Sequence, residues 1–260
     1  MTILEKIITS KIEEVKILKK LYSYNEVEKR FFFNRKTKSL KRRLELSNHG
    51  IIAEHKRKSP SKSVINSNVK LDEVILGYDM ANVCGISVLT DEKYFGGSIN
   101  DLVKARELTE IPIIRKEFII DEFQILEAKA SGADVVLLIA ACLNDNQIKN
   151  LSEFAKELNL EVLVEIHNNQ ELEKCLLSSV DIIGVNNRNL KTFKVDIENS
   201  INLSKLIPEN FLKISESGIS SAKEISILRE HGFKGFLIGE TFMKEKNPGK
   251  EVLKMINEIR

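Results

Sequence analysis

The chain has 260 residues, 42% of them hydrophobic, enough to bury roughly three quarters of its unfolded surface, so one domain is expected. Forty basic residues against 38 acidic ones leave a net charge of +2, too little for the field of the whole molecule to recruit nucleic acid; any preference for anions must be local. The longest apolar run, Val135 to Leu143, is far below the ~18 residues that span a bilayer, which argues against a membrane protein.

Residues 1 to 50 alternate charged with apolar side chains. They predict one amphipathic helix from Met1 to Leu21 and a second over Asn25 to Ser47, an extension that covers the rest of the protein. The first of these lacks the apolar core of a secretory leader. The basic stretch Lys36 to Arg43 has no interleaved aromatics and reads as a solvated helix face rather than a polyanion site.

From residue 51 onward, short β-branched runs alternate with amphipathic stretches of about ten residues, the pattern of repeated βα units. The predicted strands are Ile51 to Lys56, Gly85 to Leu89, Ile113 to Lys116, Asp134 to Ala140, Glu161 to Glu165, Asp181 to Asn186, Phe211 to Ser215 and Gly235 to Gly239. Most are continuous apolar runs with polar residues only at their ends, as parallel strands covered on both faces require. Between them, helices announce their ends. Asp121 precedes Phe123, Leu126 and Ala130 at helical spacing and Gly132 ends that run, while Asn168 with Glu171 and Ser221 with Glu224 form capping patterns. Gly232 stands where a left-handed C-cap belongs. Eight successive units in about 210 residues predict an α/β fold, a single (β/α)8 TIM barrel, rather than an open doubly wound sheet. No Pro, Gly or Ser-rich linker sets residues 1 to 50 apart, so 1 to 260 is expected to be one domain with an N-terminal helical extension.

In such a barrel the reactive groups come from the carboxyl ends of the strands. Here the first strand ends Glu54-His55-Lys56, the third Arg115-Lys116-Glu117, the fifth at Glu165, the sixth Asn186-Asn187-Arg188 and the seventh Ser215-Glu216-Ser217-Gly218. Alternation puts Glu54 and Lys56 on one face and His55 on the other, so if the pair faces the mouth, His55 faces the helices. A structural ion-pair network would explain one Glu and one Lys. Two lysines, two glutamates, an Asn and an Arg converging from five strand ends suggest proton transfer instead.

Ser217-Gly218 and Ile238-Gly239-Glu240 suggest a phosphate site, because glycine lets backbone N–H groups approach an anion, although such glycines also occur for steric reasons. The sequence contains no G-x-G-x-x-G, no G-x-x-x-x-G-K-[ST] and no H-E-x-x-H. Ser217 lacks the preceding glycine of a nucleophile elbow. His49, His55, His167 and His231 show no metal-ligand spacing and read as structural or surface residues. Cys84, Cys142 and Cys175 form no C-x-x-C pair and read as packing residues in a reducing compartment.

Over residues 51 to 250 the chain resembles the indole-3-glycerol-phosphate synthases. The likeness is carried by Ile52 to Ser61, by Pro112 to Asp121 (PIIRKEFIID), by Leu163-Val164-Glu165-Ile166, by Ile183 to Leu190 and by Ser215-Glu216-Ser217-Gly218-Ile219. It implies a carboxy-lyase of tryptophan biosynthesis that takes 1-(2-carboxyphenylamino)-1-deoxyribulose 5-phosphate to indole-3-glycerol phosphate, carbon dioxide and water, without a cofactor or metal. By motif, Lys116 would be the principal acid and Glu165 the general base. Glu54 would be a further catalytic carboxylate of open role, and Lys56 would hold the substrate carboxylate and donate a proton later. Asn186 and Arg188 would orient the substrate. Ser59, Ser217, Gly218 and Gly239 would fall at the phosphate, Phe95, Phe118 and Leu137 at the anthranilate ring, with Glu216, Leu237 and Glu240 also lining the substrate site.

Three positions depart from the usual pattern: Ser63 where Gly often stands, Glu117 in place of Asp, and Glu240 in place of Ser. Glu240 implies that any phosphate contact there uses backbone, since a carboxylate would repel the anion. The partner expected is a small phosphorylated substrate, with neither nucleic acid nor membrane, for a cytoplasmic monomer that could contact other enzymes of the same pathway transiently. A phosphoribosylanthranilate isomerase would share the last two turns but would not need both lysines.

Overall fold

In the computed structural model, which describes residues 2–66, 68–190 and 192–259, every predicted strand forms. They are β1 (Ile51–His55), β2 (Gly85–Leu89), β3 (Ile113–Lys116), β4 (Val135–Ile139), β5 (Glu161–Ile166), β6 (Ile182–Asn186), β7 (Leu212–Glu216) and β8 (Gly235–Ile238). Each pairs in parallel with its sequence neighbour and β1 pairs with β8, so the sheet closes without a free edge. The fold is a (β/α)8 TIM barrel.

Ahead of the barrel lie α1 (Ile3–Leu21), α2 (Tyr24–Glu28) and α3 (Leu40–Glu45). Around it run α4 (Leu71–Met80), α5 (Glu92–Phe95), α6 (Ile99–Leu108), α7 (Glu122–Ala130), α8 (Asp145–Glu157) and α9 (Asn169–Glu173). The circuit ends with α10 (Glu198–Ser204), α11 (Ala222–Glu230), α12 (Glu240–Met243) and α13 (Pro248–Glu258). The expected caps form. Ser221 and Glu224 bond reciprocally at the start of α11, and Gly232 follows its end at φ +82°. None of the helices among the described residues is long and apolar enough to cross a membrane.

The helix expected over Asn25 to Ser47 is not continuous; only α2 and α3 form, separated by turns and extended chain. Tertiary contacts override the local pattern, because the chain must cross beneath the barrel. Arg35 is drawn to the buried carboxylate of Asp134 at 2.5 Å, and the carboxylate of Glu161 accepts the backbone N–H groups of Leu40 and Lys41 at 2.9 and 3.0 Å. Leu40 and Leu44, both fully buried, then plug the amino end of the barrel among Ile52, Val135 and Ile182. The basic stretch is correspondingly more than a solvated face: Arg43 donates to the Val83 carbonyl and to Asn82.

Alternation along the strands divides the core in two. Outward residues such as Ile51, Ala53, Ile113 and Val136 pack against the helices, while inward residues fill the barrel. Ile52, Ile114, Leu163 and Ile214, from β1, β3, β5 and β7, are all fully buried inside it. Four side chains from alternate strands form one layer of such a barrel. The next inward position on the same strands, two residues on, carries Glu54, Lys116, Glu165 and Glu216.

Candidate active site

That upper layer is charged and almost dry: Glu54, Glu165 and Glu216 are buried, and the side chain of Lys116 is 14% exposed. Ionic groups survive at such a depth only when paired. Lys116 Nζ lies 2.9 Å from Glu165 Oε2 and 2.5 Å from Glu216 Oε2, and Lys56 Nζ lies 2.5 Å from Glu54 Oε1. His55 is buried on the opposite face of β1, where desolvation pushes its pKa down to about 4. Space for the carboxylates is made by glycines. A Cβ on Gly184 would stand 2.3 Å from Glu216 Oε1, and one on Gly239 2.4 Å from Glu54 Oε1.

One ammonium cannot neutralise two carboxylates, and the pair titrates accordingly. Burial opposes ionisation of Glu165, but Lys116, His167 and Asn186 overcome it and hold its pKa down to about 2. Burial also dominates at Glu216, where repulsion by Glu165 and Glu54 adds to it and the pKa rises to about 7. Lys116 is held protonated: desolvation is outweighed by Glu165, Glu216 and Glu54, so its pKa is raised.

Above this floor opens a cavity of about 560 Å³. On one side stand Phe95 and Phe118, ring centroids 5.9 Å apart, with Leu137 beside them on the cavity wall. On the other are Ser217, Gly218, Gly239 and Ser59, and Leu237 of β8 also lines the cavity. Ser217 and Gly218 both have positive φ, +66° and +78°, which turns the chain sharply at the end of β7. Asn186 accepts from the Arg188 backbone N–H at 2.9 Å. Glu240 does not turn to the glycines; its carboxylate meets Lys62 at 3.3 Å and Arg188 at 3.9 Å. All the site residues singled out from the sequence therefore line one cavity. Among the described residues no three His, Cys, Asp or Glu side chains are grouped so as to hold a metal ion.

A family model for indole-3-glycerol phosphate synthase matches residues 4–255. The chain belongs to that family. The match takes in the N-terminal extension as well as the barrel. The indole-3-glycerol phosphate synthase of Bacteroides thetaiotaomicron is 46% identical over 258 residues, covering 99% of each chain. That of Caldanaerobacter subterraneus subsp. tengcongensis is 44% identical over 255 residues, 98% of each. Solved structures share the fold at much lower identity: 3-hexulose-6-phosphate synthase from Salmonella typhimurium has a TM-score of 0.63 at 17% identity, covering 81% of this chain and 98% of that one. A tryptophan synthase alpha-subunit variant from Pyrococcus furiosus has a TM-score of 0.57 at 14%, covering 81% and 97%. As an indole-3-glycerol phosphate synthase the protein is a carboxy-lyase of tryptophan biosynthesis.

Two features, one in the synthase cavity and one behind Glu165, are invisible to motif reading. Ile3, Leu4 and Ile7 of α1 line it, so the extension is a wall of the site as well as a cover. Their only trace in sequence is the apolar stripe of an amphipathic helix, which does not say what it faces. The second is His167, read from sequence as structural or surface: its Nε2 lies 3.6 Å from Glu165 Oε1.

Proposed function

We propose that the cavity binds 1-(2-carboxyphenylamino)-1-deoxyribulose 5-phosphate with its aromatic ring between Phe95, Phe118 and Leu137 and its phosphate at Ser59, Ser217, Gly218 and Gly239. An apolar wall suits the ring and glycine-lined turns suit the anion. In the first step the ring carbon that bears the carboxylate attacks the ketone carbon, and the ketone oxygen takes a proton from Lys116. The alkoxide formed in that attack is strongly basic, so even an ammonium with a raised pKa can protonate it. Loss of carbon dioxide returns the bonding pair to the ring and restores aromaticity. The new hydroxyl then leaves as water with a proton from Lys56, and Glu165 removes a proton from the carbon next to nitrogen to complete the indole.

Lys56 also holds the substrate carboxylate before it is lost, and Glu54, 2.5 Å away, holds Lys56. Asn186 and Arg188 orient the sugar. Glu216, Leu237 and Glu240 shape the remaining wall. The observation that carries this reading is the Lys116 ammonium bonded to Glu165 and Glu216 on the floor of a cavity that is apolar on one side and glycine-lined on the other. The enzyme works as a cytoplasmic monomer, and sedimentation at micromolar concentration tests its oligomeric state.

The test is fluorescence detection of indole-3-glycerol phosphate from the synthetic substrate, with Lys116→Ala as control. The variant is expected to fold and to lose at least ~100-fold in kcat. Near-normal turnover in it would remove Lys116 from the acid role.

A further inference from the structure

His167 stands one residue beyond β5 and two beyond Glu165. Its ring is held at Nδ1. Glu171 Oε2, on α9, lies 3.1 Å from Nδ1 and also accepts the His167 backbone N–H at 2.7 Å, while the other Glu171 oxygen is held by Asn168 at 2.8 Å. The Asn199 side chain donates to the His167 carbonyl at 3.3 Å. Fixed in this way, Nε2 is buried without a hydrogen-bond partner and is aimed at Glu165 Oε1. The titratable groups facing the ring are Glu165 of β5, Glu171 of α9 and Glu216 of β7. Near these carboxylates lie Lys116 of β3, Cys142 after β4, and Lys174 after α9.

We propose that His167 is a positioning residue for the base: as an imidazolium clamped by Glu171, it is the second counter-charge of Glu165 and keeps that carboxylate placed and ionised while Lys116 is deprotonated. The inference rests on Lys116 as acid and Glu165 as base. Once Lys116 has given its proton to the ketone oxygen, the ammonium that neutralised Glu165 is gone. A buried carboxylate beside Glu216 then tends to take up a proton and cease to be a base. Among the described residues, the imidazole is the other cationic group within 4 Å of Glu165. Burial opposes charge on the ring, yet Glu171, Glu165 and Glu216 raise its pKa above the ordinary histidine value.

The experiment is the pH profile of kcat for His167→Asn, which keeps an amide donor toward Glu171 and removes the ring charge. Without the cation Glu165 is easier to protonate, so the acid limb should move up by about one pH unit and kcat should fall roughly 10-fold, with KM within about two-fold. Glu171→Gln, which keeps the ring but weakens its charge, should move the limb the same way by less. An acid limb unmoved in folded His167→Asn overturns the inference, whatever happens to kcat. If that variant does not fold, an unmoved limb in Glu171→Gln does so. Glu165→Gln separates the two levels: wild-type turnover there sinks the base assignment and this inference with it, whereas an inactive Glu165→Gln beside an unmoved His167→Asn profile sinks the inference alone.

Discussion

Nζ of Lys116 is closer to Glu216 than to Glu165, 2.5 against 2.9 Å, yet Glu216 is the carboxylate that holds on to a proton. The difference lies in the other neighbours. Glu165 has His167 and Asn186 as further partners, whereas Glu216 faces Glu54 and leaves its Oε1 buried without a hydrogen bond.

This asymmetry sets a pH dependence of stability. Glu216 has a folded pKa raised from 4.5 to about 7, so the stability it contributes is complete below 4.5 and is lost as the pH rises through 7. The amount is on the order of 3 kcal/mol. Glu165 runs the other way, its contribution present above 4.5 and lost as the pH falls through about 2. Glu216→Gln should therefore be more stable than the wild type at pH 8 and show little gain at pH 4.5. Urea unfolding at the two pH values measures it, and an equal difference at both would refute the asymmetry.

Gly218→Ala should damage phosphate binding. At φ +78° a side chain is strained, and its Cβ would stand 2.3 Å from Val195 Cγ1, so the turn must shift at a cost of about 1–3 kcal/mol. KM is expected to rise at least ~10-fold with a smaller change in kcat, and Ser217→Ala should act in the same direction more weakly. Unchanged KM in both variants would count against the phosphate assignment.

Lys11 ties α1 to the barrel. Its side chain is 1% exposed, with Nζ 3.1 Å from Glu117 and 3.2 Å from Asp91. Burial works against the charge, but Glu117, Glu14 and Asp91 outweigh it and raise the pKa. Lys11→Met leaves the buried Glu117 with one cation fewer, a loss of roughly 3–5 kcal/mol that α1 can relieve by detaching. The expected result is a raised KM, because Ile3, Leu4 and Ile7 leave the cavity, together with faster proteolysis within residues 2–21. Wild-type KM and protease resistance would show that the helix is held by other contacts.

Leu40→Ala tests the plug at the far end. Truncation of a fully buried leucine should lower stability by roughly 2–5 kcal/mol, measured by urea unfolding. Because the cavity lies at the opposite mouth, kcat and KM of the folded fraction should stay within about two-fold of wild type.

Much of this site is legible in the sequence. The run Glu54-His55-Lys56 already assigns two residues to one face and one to the other, and His55 is indeed buried away from the cavity. Asp134 shows where such reading fails. Taken as the first residue of the fourth strand, it lies just before β4, where its carboxylate accepts from Arg35, Arg106 and the backbone N–H groups of Lys38 and Ile113. Those partners come from three other segments, and no local pattern names them. The broken helix between Asn25 and Ser47 failed for the same reason, its preference outweighed by burial of Leu40 and Leu44.

Sequence alone determined the number of strands, their order and that Glu54 and Lys56 share a face opposite His55, because a period of two is a property of the extended backbone itself. Only the tertiary structure decided that Lys116 is shared by carboxylates 49 and 100 residues away, that α1 walls the cavity and that His167 turns to Glu165. Those outcomes follow from closure of the barrel and from burial, which act between segments with no local record of one another.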